Sequence, residues 1–79
     1  MNYFLSKMVK LTKREEECLM LAAHGLTDEM IAIKLFIEPC TVHKHLRNAR
    51  RKLGAKDTTN AVALWLSTFH ILLLDTFIN

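Results

Sequence analysis

Residues 27–53 read TDEMIAIKLFIEPCTVHKHLRNARRKL, and the breakers inside this stretch decide the fold. Thr27 is a good N-cap, and Asp28 and Glu29 follow in the first turn, where a helix dipole favours negative charge. The apolar positions Met30, Ile31 and Leu35 then repeat at helical spacing until Glu38-Pro39 interrupts them, so this helix spans only residues 28–35. Pro39 suits the first position of a new helix, where its missing N–H costs nothing, and no further breaker stands before Gly54. The second helix therefore covers residues 39–53. On a 100° wheel Val42, Leu46, Ala49 and Leu53 form a narrow apolar stripe. Lys44, Arg47 and Arg51 lie nearly opposite, flanked by His43 and Asn48. At 1.5 Å rise per residue this helix is about 22 Å long, enough to lie along a major groove and still reach a phosphate strand.

Working outward, Thr12 and Glu15 have the spacing of a capping box and start a helix over residues 13–24, with Cys18, Leu19, Ala22 and Ala23 on one broad face and Gly25 as its stop. Beyond the central stretch, Asp57 or Thr58 can cap a last helix over residues 59–74. Its apolar side chains fall into two stripes: Ala61, Leu64, Trp65, Thr68 and Leu72 on one side, Val62, Leu66, Phe69 and Leu73 on the other. A helix apolar on two sides needs two packing partners. The expected fold is all-α, four helices with no strand. Residues 1–10 are read as a short N-terminal extension, 11–68 as the domain and 69–79 as an apolar C-terminal extension of the last helix.

The chain has 79 residues, room for one domain with a modest core and, on this reading, for no second sensing or catalytic domain. Cys18 and Cys40 sit inside helices without the paired Cys or His spacing of a zinc site, so both are expected to be free thiols in a reducing compartment, with no metal and no cofactor. The first ten residues are too short and too interrupted by Lys7 and Lys10 for a secretory signal. Ser67, Thr68, His70, Asp75 and Thr76 interrupt the apolar tail, which argues against a membrane span. A cytoplasmic location follows.

The net charge is only +3, but it is unevenly placed. Six of the eight acids (Glu15, Glu16, Glu17, Asp28, Glu29, Glu38) lie between residues 15 and 38. Six of the eleven cations (Lys44, Arg47, Arg50, Arg51, Lys52, Lys56) lie between residues 44 and 56, with no acid among them. Such a block favours a polyanionic partner. Catalysis finds no support: Glu15, Glu16 and Glu17 are consecutive on a helix and point apart, and there is no phosphate-cradling glycine loop or nucleophile elbow. His43 and His45 likewise point apart on their helix and do not make a metal pair. His24 and His70 read as structural.

The segments LTKRE (11–15), Ala23-His24-Gly25, Ile31-Ala32, Leu35-Phe36-Ile37, TVHKHL (41–46), Lys52-Leu53-Gly54-Ala55 and Ala61-Val62, in this order, resemble the DNA-binding domain of LuxR-type (GerE/NarL-like) bacterial transcriptional regulators. The resemblance spans about residues 11–66. It implies that the second and third helices form a helix-turn-helix and that the fourth supports a homodimer on two-fold-symmetric DNA. It puts His43, Lys44 and Arg47 at base edges, and Thr27, Thr41, His45, Asn48, Arg51 and Lys56 at phosphates. The dimer interface would then use Val62, Trp65, Leu66, Phe69 and Leu73. Lys and Arg donors suit guanine O6 and N7 in the major groove.

Three positions depart from the family pattern. Asp28-Glu29 stand where a basic or amide side chain is usual, Thr58 where arginine is common, and Glu38 in place of a frequent serine cap. Two functional readings therefore stay open: a stand-alone, dimeric, sequence-specific DNA-binding regulator, or a modulator poor in DNA binding that dimerises with another regulator. RNA polymerase is a further partner compatible with the first.

Overall fold

The computed structural model describes the backbone of residues 10–78 and side-chain surroundings for 10–68 and Leu74. Four helices follow one another, with no strand among the described residues: α1 (Lys13–Ala23), α2 (Asp28–Leu35), α3 (Pro39–Leu53) and α4 (Thr58–Ile78). Their ends show why the breaks fall where they do. The Thr12 hydroxyl accepts the Glu15 N–H at 3.1 Å while Glu15 Oε1 accepts the Thr12 N–H at 2.9 Å, closing the expected capping box. α1 stops one residue earlier than the periodicity predicts, because His24 takes the cap position and its ring Nδ1 lies 2.8 Å from the Met20 carbonyl. Thr27 caps α2 through the Met30 N–H at 3.3 Å.

Glu38 occupies the N-cap position of α3 without a side-chain capping bond, so Pro39 at the first turn is what starts this helix. Gly54 closes it in the left-handed region at φ 68°, where its N–H and that of Ala55 return to the Arg51 and Arg50 carbonyls at 3.2 and 2.9 Å. Of the two candidate caps for α4, Asp57 makes the bond, accepting the Asn60 N–H at 2.7 Å. The helix accordingly begins at Thr58, and it continues to Ile78, past the predicted end at 74.

The core is drawn from all four helices. Cys18 and Leu19 of α1, Ile31 and Ala32 of α2, Val42, Leu46 and Ala49 of α3, and Ala61 and Trp65 of α4 are buried together. The α3 stripe is thus the expected one, with Leu53 half-buried at its end. On α2 the buried pair is Ile31 and Ala32, whereas Met30 is half exposed. Glu15, the one buried acid among the described residues, does not break the core, because Lys52 Nζ of α3 reaches its Oε1 at 2.8 Å. This pair fastens the C-terminal end of α3 to the start of α1, and the buried Val42, Leu46 and Ala49 turn the opposite face of α3 toward solvent.

Candidate nucleic-acid interface

α3 presents its polar face as a continuous strip. His43, Lys44, Arg47 and Arg51 are exposed, and Thr41, His45 and Asn48 are half-buried along its flanks. Lys56, in the turn after α3, and Thr27, at the head of α2, are exposed as well. The Thr27 hydroxyl accepts the Met30 N–H, which leaves its own proton free to donate.

The basic block divides into two groups. Lys52 is taken up by Glu15, and the Arg50 guanidinium donates from Nη1 to the Thr58 hydroxyl at 3.1 Å, tying α3 to the first turn of α4. Among the described residues, Lys44, Arg47, Arg51 and Lys56 have no carboxylate within ion-pair range. Four like charges left uncompensated on one helix face and its following turn repel one another, and an anionic surface relieves that repulsion. Neither interhelix tie was evident from the sequence: the Glu15–Lys52 partners stand far apart in the chain, and Arg50 looked like one more solvated cation.

A third contact missed at the sequence level joins α2 to the exposed face of α3. Asp28 Oδ2 lies 3.7 Å from His43 Nδ1. Asp28 is therefore not an isolated acid facing an incoming phosphate.

The expected dimer residues are placed unevenly. Trp65 is 7% exposed and belongs to the domain's own core, a correction to its assignment as an interface residue. Val62 is half-buried against the same core, and Leu66 is 45% exposed. Leu64, expected on the core stripe, is 39% exposed. The side chains of Phe69 and Leu73 lie outside the described residues. Cys18 is buried and Cys40 exposed, both as free thiols, and burial pushes the Cys18 thiol up from its ordinary value. Among the described residues no helix is long and apolar enough to cross a membrane.

Residues 9–65 match the family described as bacterial regulatory proteins, luxR family. The spore germination protein GerE of Bacillus subtilis is 46% identical over 52 residues, covering 66% of this chain and 70% of GerE. The quorum sensing-dependent transcriptional regulator VjbR of Brucella abortus is 49% identical over 57 residues, 72% of this chain but only 22% of VjbR. The transcriptional regulatory protein LiaR of Bacillus subtilis is 47% identical over 51 residues, 65% of this chain and 24% of LiaR. The matched stretch is thus about a fifth to a quarter of the length of most of these relatives. With four helices in the required order and an open basic face on the third, the chain belongs to the luxR family of bacterial regulatory proteins and carries its helix-turn-helix DNA-binding domain.

Proposed function

We propose that this chain acts as a dimeric, sequence-specific regulator that binds double-stranded DNA by laying α3 in the major groove. His43, Lys44 and Arg47 face base edges, and Thr27, Thr41, His45, Asn48, Arg51 and Lys56 hold the phosphate strands. The observation that carries this reading is the set of four exposed cations on α3 and the turn after it that have no carboxylate partner among the described residues, while Arg50 is tied to Thr58 and Lys52 to Glu15. Lys44 and Arg47 are the groups able to donate to guanine O6 and N7, and phosphate contacts keep register without choosing sequence. Dimerisation is proposed through α4, around the exposed Leu66 and with Val62, Phe69 and Leu73 as further candidates; two copies would then address two half-sites one helical turn apart, about 34–36 Å. The working location is the cytoplasm, on the nucleoid when DNA is bound, with RNA polymerase as a further partner.

The test is selection of bound duplexes from a random library at near-physiological salt. The expected result is enrichment of a two-fold-symmetric site. Weak, salt-sensitive binding without enrichment would favour the second reading, a modulator that dimerises with another regulator. That reading draws on Asp28 and Glu29 at the head of α2 and on the exposed Leu64 and Leu66 of α4.

A further inference from the structure

Of the three side chains proposed to meet bases, His43 alone has an acidic neighbour among the described residues: its Nδ1 lies 3.7 Å from Asp28 Oδ2. The pair crosses two elements, since Asp28 opens α2 and His43 stands in the second turn of α3. The Thr27 cap fixes the backbone from which the carboxylate projects. Both side chains are open to solvent, 62% exposed for His43 and 40% for Asp28. The contact therefore sits where an incoming duplex would close over it, and not in the core.

The geometry points to Asp28 as a positioning residue for base selection, acting through His43; this rests on the DNA-reading role proposed above. A carboxylate beside a polyanion is unfavourable unless a local N–H partner compensates it. The His43 ring supplies that partner. At 3.7 Å the contact is electrostatic and longer than a hydrogen bond, and expulsion of water as the groove closes strengthens it. With Nδ1 on the side of Asp28, the carboxylate favours this ring orientation and leaves Nε2 for a base edge, as second-sphere carboxylates orient imidazoles elsewhere. In the imidazolium form both nitrogens carry a proton, so that with Nδ1 facing Asp28 the Nε2–H can donate to a purine N7 or guanine O6. One base pair of the site is then chosen with the help of an acid that touches no base.

The experiment titrates every single-base variant of the selected duplex against the wild-type chain, Asp28→Asn, His43→Ala, and the double variant, with circular dichroism checking the fold of each. His43→Ala is expected to lower discrimination at one purine by about fivefold, the low end for a base contact. Asp28→Asn is expected to lower it at the same base pair and nowhere else, and the double variant to lose no more than the stronger single. Asp28→Asn combined with Lys44→Ala should be additive, because no contact couples them. Tighter binding of Asp28→Asn to all duplexes alike would overturn the inference, since the carboxylate would then merely repel phosphate. A new base preference that persists without His43 would overturn it too, by making Asp28 a direct reader. A wild type that selects a site while Asp28→Asn changes nothing removes this inference alone; a wild type that selects no site removes the DNA reading and this with it.

Discussion

Glu15 does two jobs at once, and its ionisation reports on both. It closes the capping box of α1 with Thr12, and it receives Lys52 from the end of α3. Burial works to raise its pKa, but the Lys52 ammonium with the Thr12 N–H and hydroxyl outweighs burial and holds it below the ordinary 4.5. A carboxyl whose pKa falls on folding contributes stability above its unfolded pKa and loses it as pH drops through the folded one. Glu15→Gln should therefore be less stable than wild type at neutral pH, and the gap should close below about pH 4.5 in denaturant titrations. A constant gap across that window would contradict the pairing. Lys52→Met leaves the carboxylate buried without its charged donor and should cost about 2 kcal/mol.

The elements follow local rules with one conspicuous exception. Phe36 closes α2 in the left-handed region at φ 58° with 93% of its surface exposed. A bulky L residue there costs about 1–2 kcal/mol, and exposure on this scale means almost no packing offsets it. Phe36→Asn, which tolerates that conformation, should raise stability by about 0.5–1 kcal/mol in thermal or denaturant unfolding. A loss would show that the ring packs on something in solution.

The contrast with Gly54 explains how much of the fold was legible. Thr12 with Glu15, Thr27, Pro39 and Gly54 are punctuation that acts on near neighbours, so α2 and α3 fall on their expected residues and α1 within one of its expected end. The α3 stripe was equally legible, because Val42, Leu46 and Ala49 repeat with the helix period. Interhelix ties were not. Nothing in the order of residues says that Lys52 is drawn to Glu15, Arg50 to Thr58 or Asp28 to His43. α4 was the weakest case: its apolar side chains nearly encircle it, so periodicity alone could not tell that Trp65 packs inward and Leu64 stays at the surface. Its end could not be placed either, since no glycine or proline stands between Thr58 and Ile78.

At the scale of the whole molecule, a small domain leaves one helix partly uncovered. Leu64, Leu66 and Leu74 of α4 are each between 39% and 45% exposed, and of these Leu66 lies on the stripe that faces away from Trp65, which makes it the candidate point of association. If α4 carries the dimer, Leu66→Glu should shift sedimentation toward monomer while leaving helix content unchanged. On a two-fold-symmetric duplex it should weaken binding far more than on a single half-site, because the second half-site no longer benefits from the linkage. Equal sedimentation and equal loss on both duplexes would remove α4 from the interface.

Paired titrations of the selected duplex and a scrambled one across a range of salt decide whether the outer face of α3 reads DNA. Lys44→Ala and Arg47→Ala should each cost about 1–3 kcal/mol on the selected duplex and much less on the scrambled one, which lacks the bases they read. Arg51→Ala should weaken both alike and flatten the salt dependence by about one unit of slope. If Lys44→Ala and Arg47→Ala weakened the two duplexes equally, or changed neither, α3 would not be the reading helix.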